Sequence, residues 1–363
     1  DFISFDVGNH TLKTVKLEYP LKELQAQLKY DPDPISRLYA ANAIAKKGTL
    51  EAVESLSAAL LNDAFWAVRA EVAEALATIQ LSQAVDGLLK GLNDQHPKVR
   101  RAVVNSLGGI KTVESYKALK SVVRNGDQSY YVEGAAATAL GKVGSSTLDN
   151  GKNKENKTLN ILEMVLEERA GWNEVVRSGA ISGLSMFKSS EDALNLLLPY
   201  TKLGIPQALR LNAIRCLGKI AAGQNKINTD RILDRLEAIA REEFFLTQVA
   251  VVMALGQMEV SGAVRVLQGL AEQSPDGRVK RRAEEAIGRV RKTIGADKAV
   301  DELRRDLDDL KQLNRDLKSR LEALEAKTKV EKKAKVKTEE PVTENYRLEE
   351  PRRKVKRTRF VED

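Results

Sequence analysis

The stretch DAFWAVRAEVAEALA at residues 63–77 returns, in altered form, as DQHPKVRRAVVNSLG at residues 94–108. Both begin with an aspartate, continue through a Val-Arg pair and end with leucine beside a small residue. A repeat of about 30 residues is the length of one helical hairpin that packs only on its neighbours. The pattern therefore predicts a stack of helical hairpins.

One apolar residue recurs at the same place in every repeat unit, and we call these residues the apolar column. The residue four positions before each member is Ala or Val, and the residue after it is Ala, Gly or Ser. A spacing of four places both apolar positions on one helix face, where small side chains allow close stacking. The column predicts eight hairpins, and its members are Ile44, Leu76, Leu107, Leu140, Leu184, Leu217, Leu255 and Ile287.

A mainly basic column lies seven positions before the apolar one. Its arginines are Arg37, Arg69, Arg100, Arg177 and Arg210. We expect them either to support the structure or to bind a partner, with weaker ion pairing where Glu133 and Gln248 interrupt the column. Six positions earlier, the first four units carry aspartates that suit helix caps or turns: Asp31, Asp63, Asp94 and Asp127.

Composition favours an all-α protein. Hydrophobic residues make up 42% of the chain but aromatic residues only 5%, so the core is mostly Ala, Leu, Val and Ile. One cysteine, Cys216, in an apolar helical run predicts a core thiol, and two histidines cannot build a multi-histidine metal site. We therefore expect no cofactor in this chain. With no long apolar run, the sequence also predicts no membrane partner and a cytoplasmic location.

The net charge of +8 is concentrated at the C-terminal end. Residues 327–363 hold 13 Lys and Arg against 8 Asp and Glu, which leaves 46 against 43 in the remainder. High charge and few apolar residues predict a disordered tail there. A nearly balanced body argues against a nucleic-acid partner, although the basic run at 352–359 keeps that as the weakest hypothesis.

Two further features suggest interaction surfaces. Aromatic residues recur near helix starts, with Trp66, Tyr131, Trp172 and Phe245 as a candidate rim for peptide or protein recognition. The alternative for these residues is packing between hairpins. Polar insertions at 145–158 and 222–230 predict surface loops.

A heptad pattern occupies the helix predicted at 296–326. Asn314 stands at an a position, where asparagine fixes register and two-strandedness, and leucine fills every d position. The pattern predicts a homodimer through 300–324, with a helix that folds back onto the hairpin stack as the alternative. The residues that set the register are Leu303, Leu307, Leu310, Asn314, Leu317, Leu321 and Leu324.

The columns resemble the HEAT-like repeat family in its short form, the PBS-lyase type, from residue 31 to about residue 295. The D-x-x-x-x-V-R opening and the A-L-G ending carry this resemblance. It implies an α-solenoid at 21–295. It implies little about activity, because such solenoids serve as scaffolds for many protein or peptide partners.

Residues 1–20 alternate apolar and polar positions around Gly8-Asn9, which predicts a β-hairpin left over from a preceding β-sandwich. Together with the helix that follows, this segment resembles the junction before the C-terminal helical domain of zinc-dependent aminopeptidases of the aminopeptidase N family. The residues that carry the resemblance are Phe5, Asp6, Gly8, Asn9, Leu12 and Lys13. Since the chain begins with Asp1, we expect missing N-terminal domains of the same polypeptide.

Two functions follow from these resemblances. The first is the C-terminal repeat region of an aminopeptidase-like zinc peptidase, covering or gating its peptide cleft, with zinc only in the missing domain. The family's His-Glu-x-x-His helix is absent from this sequence, so no catalysis is expected from the chain itself. The alternative is a free-standing HEAT-repeat adaptor that binds another protein and self-associates.

Overall fold

The apolar column lies on α-helices in the computed structural model of the chain. The structure describes residues 2, 3, 6, 8, 10–12, 18–79, 81–146 and 151–336, with side chains outside the description at 151–152, 295–306, 308–309 and 322–336. These residues form sixteen α-helices in two compact units, residues 1–295 and 296–363. The all-α solenoid predicted from the columns is confirmed.

Eight column helices carry the apolar column, and eight intervening helices pair with them. The column helices are α2 (Pro34–Lys47), α4 (Trp66–Ala77), α6 (Pro97–Gly109), α8 (Tyr130–Gly144), α10 (Val175–Leu184), α12 (Gln207–Ala221), α14 (Phe245–Leu255) and α16 (Gly277–Val336). The intervening helices are α1 (Leu21–Tyr30), α3 (Leu50–Asn62), α5 (Ser82–Gly91), α7 (Val113–Asn125), α9 (Gly151–Glu168), α11 (Glu191–Leu197), α13 (Lys226–Ala240) and α15 (Ser261–Gln273).

The small residues of the repeat let the column helices approach backbone to backbone. A Cβ atom on Gly141 would lie 2.3 Å from the carbonyl oxygen of Gly183 on the next column helix. On Gly218 it would lie 2.2 Å from the carbonyl oxygen of Ala254. The intervening helices meet instead through longer side chains, as where Tyr116 hydrogen-bonds to Thr158. The column helices thus form the more closely packed layer, and we call the exposed sides of α2 to α14 the inner face.

The core and the helix starts follow the sequence pattern. Leu76 and Leu107 are fully buried, and so are Val72 and Val103 one turn before them. Each buried aliphatic side chain of this size contributes about 1.5–3 kcal/mol. Asn225 caps α13 by accepting the Asn228 N–H at 2.9 Å, and such a cap stabilises a helix by about 1 kcal/mol.

Three predicted segment boundaries differ from the structure. The loop expected at 145–158 is helical from Gly151, and the loop expected at 222–230 is helical from Lys226. Helix α16 continues to Val336, so residues 327–336, predicted to be disordered, have helical backbone. Polar composition was misleading in each case, because a run of polar residues is compatible with helical backbone as well as with a loop.

The β-hairpin predicted at 1–20 falls largely on residues outside the description. The described residues in that range contain no strand. Asp6 closes a turn there, with its carboxylate accepting the backbone N–H groups of His10 at 3.3 Å and Thr11 at 3.1 Å.

Candidate functional site

The basic-column arginines join successive hairpins. Arg37 of α2 donates from Nε and Nη2 to both carboxylate oxygens of Asp63, at 2.8 and 3.0 Å. Its Nη1 donates to the Asp31 carbonyl at 2.8 Å. We call such a link between one column helix and the next hairpin a rung. Two further rungs have the same atoms and partners, Arg69 with Asp94 and Arg100 with Asp127.

Each rung aspartate also shapes the helix that follows it. Asp63, Asp94 and Asp127 accept the backbone N–H two residues later, so they act as turn residues. Burial alone would raise the pKa of Asp94, but hydrogen bonds from Arg69 and the His96 backbone, with the Arg69 charge, outweigh it and lower the pKa. The guanidinium groups of the three rung arginines are thus already hydrogen-bonded within the chain, which disfavours binding of a partner by these residues.

The remaining units vary the rung. Glu133 takes the arginine position and pairs with Arg169, just after α9, at 3.1 Å, so an ion pair persists with its charges exchanged. Arg210 binds Glu242 through two nitrogens at 2.8 and 2.6 Å. Among the described residues, the other three units differ. Arg177 pairs with Glu174 just ahead of its own helix, Gln248 accepts a hydrogen bond from the Ser274 hydroxyl at 2.8 Å, and Lys280 donates to the Glu272 carbonyl at 3.3 Å.

The exchanged rung differs electrostatically from the others. The Oε1 atom of Glu133 is buried and lacks hydrogen-bond geometry despite its short distance to Arg169. Burial raises the pKa of this carboxyl, and the nearby Asp127 charge adds to the rise against the opposing charge of Arg169. The sequence predicts weaker ion pairing at this unit. The structure keeps the Glu133–Arg169 ion pair but buries the Glu133 carboxylate away from water.

The four candidate rim aromatics lie in three clusters. Trp66 stacks on His96 with ring centroids 4.6 Å apart, and the Lys98 Nζ lies 4.5 Å from the Trp66 centroid. In the second cluster the ring centroids of Tyr131 and Trp172 are 6.1 Å apart, and Arg101 lies over the Tyr131 ring. In the third cluster the Arg278 guanidinium carbon lies 4.0 Å from the Phe245 ring centroid. Tyr131 and Trp172 are half exposed. These rings meet cations from neighbouring hairpins, which favours local clusters over one continuous rim.

The inner face of five consecutive column helices is basic. Helices α6, α8, α10, α12 and α14 contain a single carboxylate, Glu133, and that one is buried in a rung. Cations outside the rungs remain on the open side of these helices: Lys98, Arg101, Lys142, Arg215 and Lys219. This surface was not predicted from the sequence, because net charge per segment does not separate paired arginines from free ones.

Arg215 is the most distinctive of these cations. It is half-buried on α12, and its Nε has no hydrogen-bond partner among the described residues. Beside it, Asn212 donates to the Ser178 carbonyl at 2.8 Å and to the Ser182 hydroxyl at 3.1 Å. Lys219 follows one turn later on the same helix face. The surroundings supply hydroxyls and amides but no anion.

Apolar side chains continue the same surface. Leu246 and Met253 on α14 are 40% and 41% exposed, and Tyr131 on α8 is 50% exposed. A large apolar side chain open to water beside cations is typical of a surface that meets another protein. The inner face thus combines free positive charge with exposed apolar residues.

The heptad leucines form a separate apolar stripe in the second unit. Leu307, Leu310, Leu317 and Leu321 are each more than half exposed. Asn314 between them is exposed as well. The side chains of Leu303 and Leu324 lie outside the described residues.

Metal-ligating side chains and the single cysteine are two kinds of group that could support a reaction. Within the part of the chain that the structure describes, no three or more His, Cys, Asp or Glu side chains come together as a metal-binding group. Cys216 is fully buried, and burial raises the pKa of its thiol, which disfavours the reactive thiolate. Along the described helices, none combines enough length with enough apolar character to cross a bilayer.

The comparisons with known proteins agree with the repeat geometry. The family model for HEAT repeats matches residues 21–95, 85–185 and 205–288. The chain belongs to the HEAT-repeat family. No curated protein matches it.

Three solved structures are similar to the chain at low sequence identity. The complex of CpcE and CpcF of phycocyanin lyase from Nostoc sp. PCC7120 is 22% identical, with a TM-score of 0.43 over 78% of this chain and 98% of that one. YibA of E. coli is 19% identical, with a TM-score of 0.43 over 74% and 92%. Human deoxyhypusine hydroxylase is 20% identical, with a TM-score of 0.33 over 74% and 95%. At these values the likeness concerns the fold and assigns no activity.

Proposed function

We propose that this HEAT-repeat chain is a non-catalytic scaffold that binds a partner protein along its inner face. The observation that carries the proposal is the division of its basic residues. Most column arginines are bound in rungs, whereas Lys98, Arg101, Lys142, Arg215 and Lys219 stay outside them beside exposed apolar residues. A repeat stack offers such an extended surface because every unit contributes one helix to it.

Site-specific photo-crosslinking in the source cells tests this function. A photoreactive amino acid at Asn105 on α6 or Met253 on α14 samples the inner face, and the same group at Lys90 on α5 or Lys117 on α7 samples the intervening helices. We expect both inner positions to give the same covalent adduct with one protein. Adducts from the intervening positions alone, or from no position, would overturn the proposal.

The aminopeptidase-associated role stays a prediction that rests on the resemblance of the first 40 or so residues. The repeat match begins at residue 21 and supports the adaptor better. We expect the purified chain, with or without added zinc, to release no product from aminoacyl nitroanilides. Hydrolysis that a chelator abolishes, and that follows the protein through purification, would contradict the non-catalytic assignment.

A second proposed property is self-association through the heptad at 300–324. Four of its leucines are more than half exposed, and burying each in a coiled-coil seam would stabilise a dimer by about 1.5–3 kcal/mol. The exposed Asn314 occupies the position at which asparagine favours two strands. In this arrangement the scaffold would present two solenoids.

A further inference from the structure

We propose that the inner face from α6 to α14 binds an extended acidic segment of a partner protein, with carboxylates at Arg215 and Lys219 and apolar side chains at Leu246 and Met253. This inference rests on the proposed scaffold function and names its partner chemistry. The proposed ligand is a protein segment in which acidic and apolar residues alternate.

The charge of this surface is local and does not follow from the net charge of the chain. The five column helices from α6 to α14 hold one carboxylate, whereas the intervening helices α7, α9, α11 and α13 hold ten. Acidic residues are thus segregated to the opposite layer. A groove lined by one sign of charge raises the local concentration of ligands of the other sign and rejects like-charged ones.

Arg215 gives the surface a specific anchor. A guanidinium carries five N–H donors, and this one makes no ion pair or hydrogen bond within the described chain. Partial burial removes water from the group without supplying an anion, which leaves its desolvation uncompensated. Because the Nε atom is buried, a partner's carboxylate would bind the guanidinium through Nη1 and Nη2, in the way that Glu242 binds Arg210.

The neighbourhood of Arg215 favours a peptide over a nucleic acid. Single-stranded nucleic acids need aromatic platforms on which bases stack, yet α10 (VVRSGAISGL) and α12 (QALRLNAIRCLGKIA) contain no aromatic residue. Their open side carries hydroxyl and amide groups from Ser178, Ser182 and Asn212. Leu246 and Met253 on the next column helix can accept apolar side chains of the same bound segment.

Fluorescence anisotropy with the full chain tests the inference. The probe is a short fluorescein-labelled peptide in which glutamate alternates with leucine and proline keeps the backbone extended. Its counterpart with glutamine for glutamate, and an oligothymidine of equal length, are the competing ligands. We expect the acidic peptide to bind about tenfold or more tightly than the glutamine peptide, with affinity that falls as salt rises.

Matched charge reversals locate the site. The inner variants are Arg215→Glu with Lys219→Glu, and Lys142→Glu with Lys219→Glu, the second confined to exposed positions so that folding is preserved. The control, Lys90→Glu with Lys117→Glu, changes net charge equally on the intervening helices. We expect at least about a tenfold loss of acidic-peptide affinity in both inner variants and less than about twofold in the control.

Each other outcome overturns the inference. Equal binding of the acidic and glutamine peptides removes the role of carboxylates, and tighter binding of oligothymidine assigns the surface to nucleic acid. Equal losses in the inner variants and the control show that only net charge matters. Failure of the acidic peptide to bind also refutes this partner chemistry, while adducts at Asn105 and Met253 in cells would still uphold the scaffold function.

Discussion

At the scale of the residue, similar carboxylates have opposite roles in two rungs. Asp94 is held by a bidentate arginine and a backbone N–H, and its pKa is lowered. Glu133 is buried and has Arg169 as its ion-pair partner, and burial raises its pKa. A rung therefore stabilises the stack only where its hydrogen bonds offset the free-energy cost of desolvating both charges.

Isosteric amides test this contrast. We expect Asp94→Asn to destabilise the chain by about 1–2 kcal/mol at neutral pH, because Arg69 then lacks its charged partner. Glu133→Gln should cost less than half as much, since it removes a buried charge and leaves Arg169 partly in water. Urea unfolding at pH 7 measures both. Equal destabilisation by the two variants would contradict the account of the exchanged rung.

The same pair predicts opposite pH trends. The stability that Asp94 contributes is present above its ordinary pKa of 3.8 and is lost as pH falls through its lower folded value. Glu133 favours the fold below its ordinary 4.5, and that contribution is lost as pH rises through its higher folded value. Glu133→Gln should therefore gain stability relative to the parent chain as pH rises from about 4 to 7. A constant difference across this range would refute the assignment.

At the scale of the element, the close approach of column helices depends on missing side chains. Ala at Gly141 would place its Cβ 2.3 Å from the Gly183 carbonyl oxygen, a backbone atom that cannot rotate away. Gly109, near the end of α6, has no atom within 4 Å of the same position. We expect Gly141→Ala to destabilise by about 1–3 kcal/mol and Gly109→Ala to be neutral or slightly stabilising. Thermal unfolding followed by circular dichroism decides, and similar melting temperatures for both variants would argue against tight stacking.

The heptad helix provides a second test at this scale. We expect the full chain to have a solution mass near twice 40.1 kDa, and Asn314→Leu to change the oligomeric state, because leucine at this position relaxes the preference for two strands. Light scattering coupled to size-exclusion chromatography gives the mass. A monomeric mass for both forms would refute dimerisation.

Helix identity was predictable from the sequence, but helix ends and the inner face were not. The apolar column needs only a period, so Leu76 and its equivalents could be placed without a structure. The start of α9 at Gly151 could not, because polar residues on a solvent-facing turn look like a loop. Arg210 and Arg215 are both arginines of α12, and the sequence does not tell which of them is paired. The structure shows that Glu242 binds Arg210, whereas the Nε of Arg215 has no hydrogen-bond partner among the described residues.

At the scale of the whole molecule, the rungs make the hairpins interchangeable. Removing residues 63–93 brings Asp94 to the position of Asp63, so that Arg37 can form its rung with Asp94. We expect this shortened chain to keep nearly the same helical signal per residue, because contacts run between neighbouring hairpins. Collapse of that signal would point to one global core instead of a stack.

The central proposal at this scale is that the scaffold holds its partner on the inner face. Its most direct test is co-purification, from source cells, of the protein that crosslinks at Asn105. We predict full recovery with the parent chain and with the Lys90→Glu, Lys117→Glu control, and at least about a tenfold loss with Lys142→Glu, Lys219→Glu. Undiminished recovery with that inner-face variant, folded and equally expressed, would contradict the claim.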